Sequence, residues 1–212
     1  MPPKKKPKDE KTPSLNAALL PTPALDSKDL RMSYHIARGE QGVLTFEPYK
    51  SLLLPYWRFK TIPIATRSSE TLHNAFTHYV KAGDFVGADM SRKFIQMGMT
   101  RAKRYANHKG GRKYERSERE MARDGDEGMG RVELPKSEGH EGRDEKLRAS
   151  EVFKETWRRC TSDEKYLEMK GEFLAEQKAW DREGRKLKEE GGGLGLKGEE
   201  IEVKREGRDD EG

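Results

Sequence analysis

Residues 83–114, which read GDFVGADMSRKFIQMGMTRAKRYANHKGGRKY, decide the fold. Gly83 is typical of a helix C-terminus, and Asp84 is a favoured N-cap for the helix that follows. Apolar residues then recur at spacings of four, four and three, which places them on one helical stripe. They are Val86, Met90, Phe94 and Met97. The stretch therefore predicts a long helix with a buried face.

The same stripe changes character in its second half. Beyond Met97 it carries basic and aromatic side chains, namely Arg101, Arg104, Tyr105, His108 and Arg112. A second apolar stripe, rotated by about 100°, consists of Ile95, Met99, Ala102 and Ala106. One straight helix cannot bury both stripes against a flat surface. The helix must therefore bend near Gly98 or be wrapped on two sides.

The basic half of the stripe predicts a site for phosphate or nucleic acid. Arginine forks match phosphate geometry, and glycines let the backbone approach a ligand closely. The predicted site consists of Arg101, Arg104, Tyr105, His108, Lys109, Arg112 and Lys113. The alternative is a solvated helix face, with Gly110 and Gly111 at an ordinary helix end and cations in the last turn.

Charge divides the chain into two unlike parts. Charged residues make up 38% of the sequence and the mean hydropathy is −1.07, so only one modest core is expected. Residues 1–114 carry 21 Lys and Arg against 9 Asp and Glu, a net charge of +12, whereas residues 115–212 carry 22 against 29, a net charge of −7. The basic part predicts an anionic partner.

Composition also limits the cellular compartments in which the protein is expected. Cys160 is the only cysteine, which excludes an internal disulfide and a cysteine-based metal cluster, and we predict no metal and no cofactor. No apolar run approaches the length of a membrane span, and no signal segment follows the first lysines, so we predict an intracellular protein without a membrane partner. The basic run Lys4, Lys5, Lys6 and Lys8 resembles a nuclear import signal, or is a solubilising tail. Both the cytoplasm and the nucleus stay open.

The predicted fold class is α+β, a small domain in which a short antiparallel β piece packs on two to three helices. Residues 34–38 and 43–46 read as two strands of a hairpin, with Gly39 to Gly42 as its loop. The aromatic stretch 49–60 supplies core residues, and a helix begins at Ser68 or Ser69. The alternative is a mainly helical domain in which residues 34–46 are irregular.

Five segments are predicted along the chain. They are a disordered basic head at 1–30, a folded domain at 31–114, a flexible linker at 115–149, a helical extension at 150–190 and a disordered acidic, glycine-rich tail at 191–212. The extension has two narrow apolar seams, one of Val152, Phe153, Trp157 and Cys160 and one of Tyr166, Phe173 and Trp180. Such seams need a surface to lie on, which is the domain, the other helix or a protein partner.

Four blocks of sequence carry a resemblance to a known family. They are 38–44 (RGEQGVL), 47–51 (EPYKS), 57–60 (WRFK) and the long stretch 83–114. In these blocks the chain resembles the family catalogued as domain of unknown function forty-three eighty-five, which occurs in bacteria, bacteriophages and some eukaryotes. The resemblance covers roughly residues 30–114 and implies that this span is the unit, with 115–212 as an extension. It implies no activity.

Three classes of function stay open, since the chain contains no complete catalytic motif. Residues 83–114 hold eight Lys and Arg against two acids, which favours binding of single-stranded RNA or DNA, or another polyanion, through phosphates and without sequence specificity. An enzyme acting on a phosphorylated small molecule is the first alternative. Its site is a second candidate loop formed by Arg38, Gly39, Glu40, Gln41 and Gly42. A protein-interaction module that uses the 150–190 helices is the other alternative.

Overall fold

The computed structural model describes residues 15–36, 41–126, 128–137 and 139–191. Within these ranges the chain forms helices and no β-strand. The helices are α1 (Pro23–Asp26), α2 (Lys28–Ser33), α3 (Gln41–Thr45), α4 (Tyr49–Leu53), α5 (Ile62–Ala82), α6 (Phe85–Asn107), α7 (Glu118–Arg123), α8 (Arg143–Thr161) and α9 (Glu164–Gly191). Short 3-10 turns occur at Ala17–Leu19, Leu54–Tyr56 and Lys109–Gly111. The protein is thus a helical bundle.

The predicted α+β class is wrong, and the error lies in the hairpin. The second predicted strand overlaps α3, and Tyr34 to Ile36 form neither helix nor strand. A few alternating apolar residues fit a strand and a single helical turn equally well, so packing decides between them. Here Tyr34 and Val43 are both buried in the core. The mainly helical alternative describes the domain better.

Helices α5 and α6 form a tight antiparallel pair. Gly83 adopts a φ of +81° as the residue that ends α5, which is a left-handed conformation that glycine adopts without strain. Asp84 caps α6 by accepting a 3.0 Å hydrogen bond from the backbone N–H of Gly87. Gly87 itself lies against the ring of Tyr79, where an added Cβ would come within 2.4 Å of the ring. The two helices therefore need glycine at this contact.

Helix α6 is packed on two sides, by α5 and by α8. Nearly every residue from Phe85 to Met97 is buried, which accounts for both of its apolar stripes. A Cβ added at Gly98 would meet the ring of Phe153 on α8 at 2.6 Å. Gly98 therefore marks where α8 crosses close to α6.

The core extends well beyond Tyr114. Helix α8 buries Ala149, Phe153 and Cys160 in it, and the first part of α9 adds Tyr166 and Phe173. The described residues up to Leu174 form one compact unit that includes these side chains. The prediction that the domain ending at Tyr114 folds alone, and the boundaries of the linker at 149 and of the extension at 190, stay predictions.

The chain from Ala175 onward is a second unit, whose described part, 175–191, is helical. Residues 1–14 and 192–212, which include the import-like lysine run and most of the predicted acidic tail, lie outside the described residues. Among the described helices, none combines the length and the apolar character that crossing a membrane requires.

Candidate functional site

A glycine turn at the end of α6 shapes the site. Gly110 and Gly111 have φ values of +70° and +74°, and a Cβ added at Gly111 would lie 2.6 Å from the ring of Tyr105. Both the left-handed backbone and the close approach to the ring require glycine here. The turn directs the chain back along the end of α6, so Arg112 lies at the same cavity as Arg104.

A short backbone pairing closes the loop that follows. The N–H of Glu115 donates to the carbonyl of Val132 at 3.0 Å, and the N–H of Leu134 donates to the carbonyl of Lys113 at 2.9 Å. Between the paired segments lies α7, which begins with a capping box in which Ser117 and Glu120 satisfy each other's backbone N–H groups. This pairing holds α7 beside the end of α6.

A cavity of about 560 Å³ lies between the end of α6, the glycine turn and α7. Six of the side chains that line it are basic and two are acidic. The basic ones are Arg104, Arg112, Lys113, Arg116, Arg119 and Arg131, and the acidic ones are Glu118 and Glu120. The wall therefore carries a strong excess of positive charge.

Three of these basic side chains are balanced by carboxylates at distances of 2.6–3.3 Å. The ion pairs are Lys113–Glu133, Arg116–Asp124, Arg116–Asp126 and Arg131–Glu118. Arg131 also stacks over the ring of Tyr114, with its guanidinium carbon 4.1 Å from the ring centroid. These interactions stabilise the loop and balance the positive charges of Lys113, Arg116 and Arg131.

The other three basic side chains have no carboxylate partner among the described residues. Arg104 and Arg119 form neither an ion pair nor a side-chain hydrogen bond with any described group, and Arg112 donates only to the backbone carbonyls of Tyr114 and Glu115. The cavity's own acids are already engaged. Glu118 pairs with Arg131, and Glu120 accepts hydrogen bonds from the backbone and hydroxyl of Ser117, which lower its pKa. None of the three arginines forms an ion pair with a described carboxylate, and the charge of Arg112 is close enough to that of Glu120 to help lower its pKa.

Only part of the predicted site lines this cavity. Arg104, Arg112 and Lys113 do. The residues that do not are Arg101, Tyr105, His108 and Lys109. Of these, Arg101 is partly buried, Lys109 is exposed, and His108 is buried with its Nδ1 lacking a hydrogen-bond partner in the described part of the chain.

Tyr105 is committed to the hydrophobic side of α6. Its ring packs edge-on against Phe59 with centroids 5.7 Å apart, and the ammonium of Lys146 lies 5.8 Å from its centroid. Lys146 in turn donates to the carbonyls of Phe59 and Lys60. Tyr105 therefore supports the glycine turn from below and does not face the cavity.

Three cavity residues escape the sequence-based prediction, namely Arg116, Arg119 and Arg131. They lie in the stretch predicted as a linker. The spacing of Ser117 and Glu120, with a Ser three positions before a Glu, is a helix-start signal that predicts α7. No comparable signal exists for Arg131, since it reaches the cavity through the pairing of distant segments.

The second candidate loop is only partly described. Arg38, Gly39 and Glu40 lie outside the described residues. Gln41 and Gly42 belong to the first turn of α3 rather than to a hairpin loop. The proposed catalytic use of this loop stays a prediction.

A separate charged cluster lies in the core around Asp89, which is fully buried. Its carboxylate accepts hydrogen bonds from the hydroxyls of Tyr34 at 2.5 Å and Tyr166 at 2.6 Å, and from Nε of Arg92 at 2.8 Å. Burial alone would raise the pKa of Asp89, but the charge of Arg92 and the two hydroxyls outweigh it and hold the pKa below its usual value. Asp89 is therefore an ionised, fully bonded centre of the core.

Lys93 is the least satisfied member of this cluster. Its ammonium lies 3.7 Å from Oδ2 of Asp89 and 5.2 Å from the ring centroid of Tyr34, and it has no hydrogen-bond partner among the described residues. Burial lowers its pKa. The cluster joins Tyr34, α6 and α9 and acts as a structural cross-link.

Comparison with known families matches residues 19–176 to the model of the family described as domain of unknown function DUF4385. Since the match covers well over half of the 212 residues, the chain belongs to this family. The match confirms the resemblance read from the sequence, and it reaches through α8 and into α9. No curated protein and no solved structure matches the chain significantly.

Proposed function

We propose that this protein binds nucleic acid or another polyanion through phosphate groups, without sequence specificity, in the cavity between α6 and α7. The observation that carries the proposal is the trio of Arg104, Arg112 and Arg119, whose charges have no carboxylate partner in the described structure. An arginine cannot lose its charge in a protein, and Arg112 and Arg119 are exposed, so their guanidinium groups are accessible to an external anion.

The contacts available to such a ligand are phosphate contacts. Tyr105 is packed against Phe59, and one face of Tyr114 is covered by Arg131. Both rings are thus already engaged by protein side chains, which leaves them less available for the base stacking by which many single-strand binders add affinity. Guanidinium groups, by contrast, bind the phosphate oxygens of any sequence. Single-stranded RNA or DNA is thus the proposed partner, recognised by its backbone.

Salt dependence tests this proposal. Three arginines that neutralise at most about three phosphates on a single strand give a slope no steeper than roughly −2 for the logarithm of the binding constant against the logarithm of salt concentration. We expect fluorescence anisotropy to show this slope for two labelled single strands of unrelated sequence. Replacing Arg104, Arg112 and Arg119 by Gln should weaken binding of both strands equally and flatten the slope.

A control removes two positive charges from a different surface. Arg143 and Arg158 lie exposed on α8 in ion pairs with Asp144 and Glu155. Replacing both with Gln should leave binding almost unchanged. Absence of binding by the unmodified protein at low salt, where electrostatic attraction is greatest, refutes the proposal. So does equal binding by the cavity variant and the control.

A further inference from the structure

Building on the proposed function, we infer that the cavity selects a terminal phosphate monoester over the internal phosphodiesters of a nucleic-acid chain. The ligand class is a compact dianion, either the phosphorylated end of an oligonucleotide or a free nucleotide. Three features of the cavity support this preference: the number of unbalanced guanidiniums, the room around them and the charge of their surroundings.

The three unbalanced guanidinium groups come from three different elements and meet at one cavity. Arg104 belongs to the last turn of α6, Arg112 follows the glycine turn, and Arg119 belongs to α7. A phosphate monoester offers three terminal oxygens and a charge of about −1.5 to −2 at neutral pH. An internal phosphodiester offers two such oxygens and a single charge. Nε and Nη2 of Arg112 already donate to backbone carbonyls, but the forks of Arg104 and Arg119, with the remaining N–H groups of Arg112, are better satisfied by the monoester.

The cavity has room for more than a phosphate group. Its volume of about 560 Å³ falls within the range of ordinary small-molecule pockets. A terminal phosphate can lie inside with its first nucleoside, and the chain then leaves in one direction only. An internal phosphate at the same position brings a nucleoside on each side, which takes more room than a terminal phosphate with one.

The surroundings of the cavity favour a compact end group over a continuous run of phosphates. Residues 115–133 carry seven Asp and Glu against four Lys and Arg. Lys113, Arg116 and Arg131 are already paired with carboxylates, so the basic side chains of the cavity that form no ion pair with a described residue are Arg104, Arg112 and Arg119. A strand running along this surface would meet like charges on either side of the cavity. A compact end group avoids most of them.

The test compares two single-stranded oligonucleotides of one sequence, one with a 5′-phosphate and one with a 5′-hydroxyl, by fluorescence anisotropy on the full chain. We expect the phosphorylated strand to bind about tenfold more tightly, since it adds charge-assisted hydrogen bonds at its end. The Arg104→Gln, Arg112→Gln, Arg119→Gln variant should lose this difference. The Arg143→Gln, Arg158→Gln control should keep it, and circular dichroism verifies that both variants are folded.

The single variant Arg119→Gln provides a second measurement, because Arg119 is exposed on the short helix α7 and its loss cannot disturb the core. It should reduce the preference for the phosphorylated strand several-fold. A mononucleotide added as competitor separates the two sources of the ligand. If it displaces the phosphorylated strand, free nucleotides are ligands, and if it does not, the ligand is the end of a chain.

The outcomes separate this inference from the proposed function. Equal, salt-dependent binding of the two strands overturns the preference for a terminal phosphate and leaves backbone binding intact. A preference that survives in the triple variant also overturns it, because the end group is then bound elsewhere. If neither strand binds and the mononucleotide does not bind directly, both proposals fail.

Discussion

The hydroxyl of Tyr166 lies 2.6 Å from Oδ1 of Asp89, so the first turn of α9 is hydrogen-bonded to the first half of α6. The other oxygen of the same carboxylate accepts a hydrogen bond from the hydroxyl of Tyr34, which precedes α3 in the chain. One buried side chain thus joins three parts of the chain that are distant in sequence. The stability of the bundle should depend heavily on its charge.

Replacing Asp89 by Asn should lower the free energy of unfolding by about 3–5 kcal/mol, because Arg92 and Lys93 would then be buried without an anion. Denaturation by urea, followed by circular dichroism, measures the change. Asp144→Asn is the control, since that carboxyl is 83% exposed and its loss should change the stability by less than about 1 kcal/mol. Equal effects of the two substitutions would show that the core does not depend on the Asp89 charge.

The contribution of Asp89 should also depend on pH. Its pKa in the folded state is below the usual value, so the unfolded chain binds the proton more readily. The stabilisation is therefore complete above the unfolded pKa of about 4 and is lost as the pH falls below it. The difference in unfolding free energy between wild type and Asp89→Asn should be largest near neutral pH and shrink in acid. If the difference in unfolding free energy grew in acid instead, the pKa of Asp89 in the folded state would have to be raised rather than lowered.

Lys93 and Arg92 should respond differently to the same substitution. Lys93→Met removes an ammonium that lacks a hydrogen bond and should leave the stability unchanged or increase it by up to about 1 kcal/mol. Arg92→Met removes the donor to Asp89, to Tyr166 and to Gln96, and should cost about 3 kcal/mol or more. Thermal unfolding of the two variants provides the comparison. Similar losses in both would mean that the weak ion pair of Lys93 matters as much as the hydrogen bonds of Arg92.

Replacing either of two helical glycines by alanine should change the stability, but in opposite directions. At Gly98 the new Cβ would overlap the ring of Phe153, so Gly98→Ala should destabilise by about 1–3 kcal/mol. At Gly171 on α9 no described atom lies within 4 Å of an added Cβ, and Gly171→Ala should stabilise by up to about 1 kcal/mol through its better helix propensity. Both variants are compared by urea denaturation. A neutral Gly98→Ala would mean that α8 can move away from α6 at little cost.

The two views of the domain boundary make opposite predictions. The sequence predicts that residues 31–114 fold alone and that proteases cut first within 115–149. The burial of Phe153 and Tyr166 in the core leads us to expect that a fragment ending at Tyr114 unfolds without cooperativity, whereas residues 15–176 retain a cooperative transition. Calorimetry of the two fragments distinguishes between these two predictions. A cooperative transition in the shorter one would support the boundary predicted from the sequence.

Local sequence signals are sufficient to predict the turn between α5 and α6. Gly83 and Asp84 predict the turn and the cap, and both occupy those positions. The predicted start of α5 at Ser68 or Ser69 is late, because Pro63 reads as a breaker but is tolerated in the first turn of a helix. The hairpin at 34–46 fails for the opposite reason. Its short apolar run has no periodicity of its own, and contacts with α6 decide its conformation.

Half of the cavity could be predicted from the sequence. Arg104 lies on the helical stripe continued from Met97, and a stripe depends only on local geometry. The sequence predicts Arg112 on the same stripe, but α6 ends at Asn107 and the glycine turn brings Arg112 to the cavity. Arg119 and Arg131 approach them through a loop closed by backbone pairing, for which the charged and glycine-rich stretch shows no pattern. The ion pairs of Arg116 could not be predicted from the sequence either. Its partners lie eight and ten positions away, and such a pair can be predicted only when the conformation of the intervening turn is known.

The backbone pairing of Lys113 with Leu134, and of Glu115 with Val132, has a consequence for how this family can diversify. The chain leaves the bundle at one point and returns to the same point, so the intervening excursion, 116–131, can be exchanged for a shorter or unrelated loop without moving α6 or α8. Such an exchange would remove Arg116, Arg119 and Arg131 and keep Arg104. Relatives can therefore share the bundle and differ in their ligand, and the loop is a natural place to graft a new binding specificity.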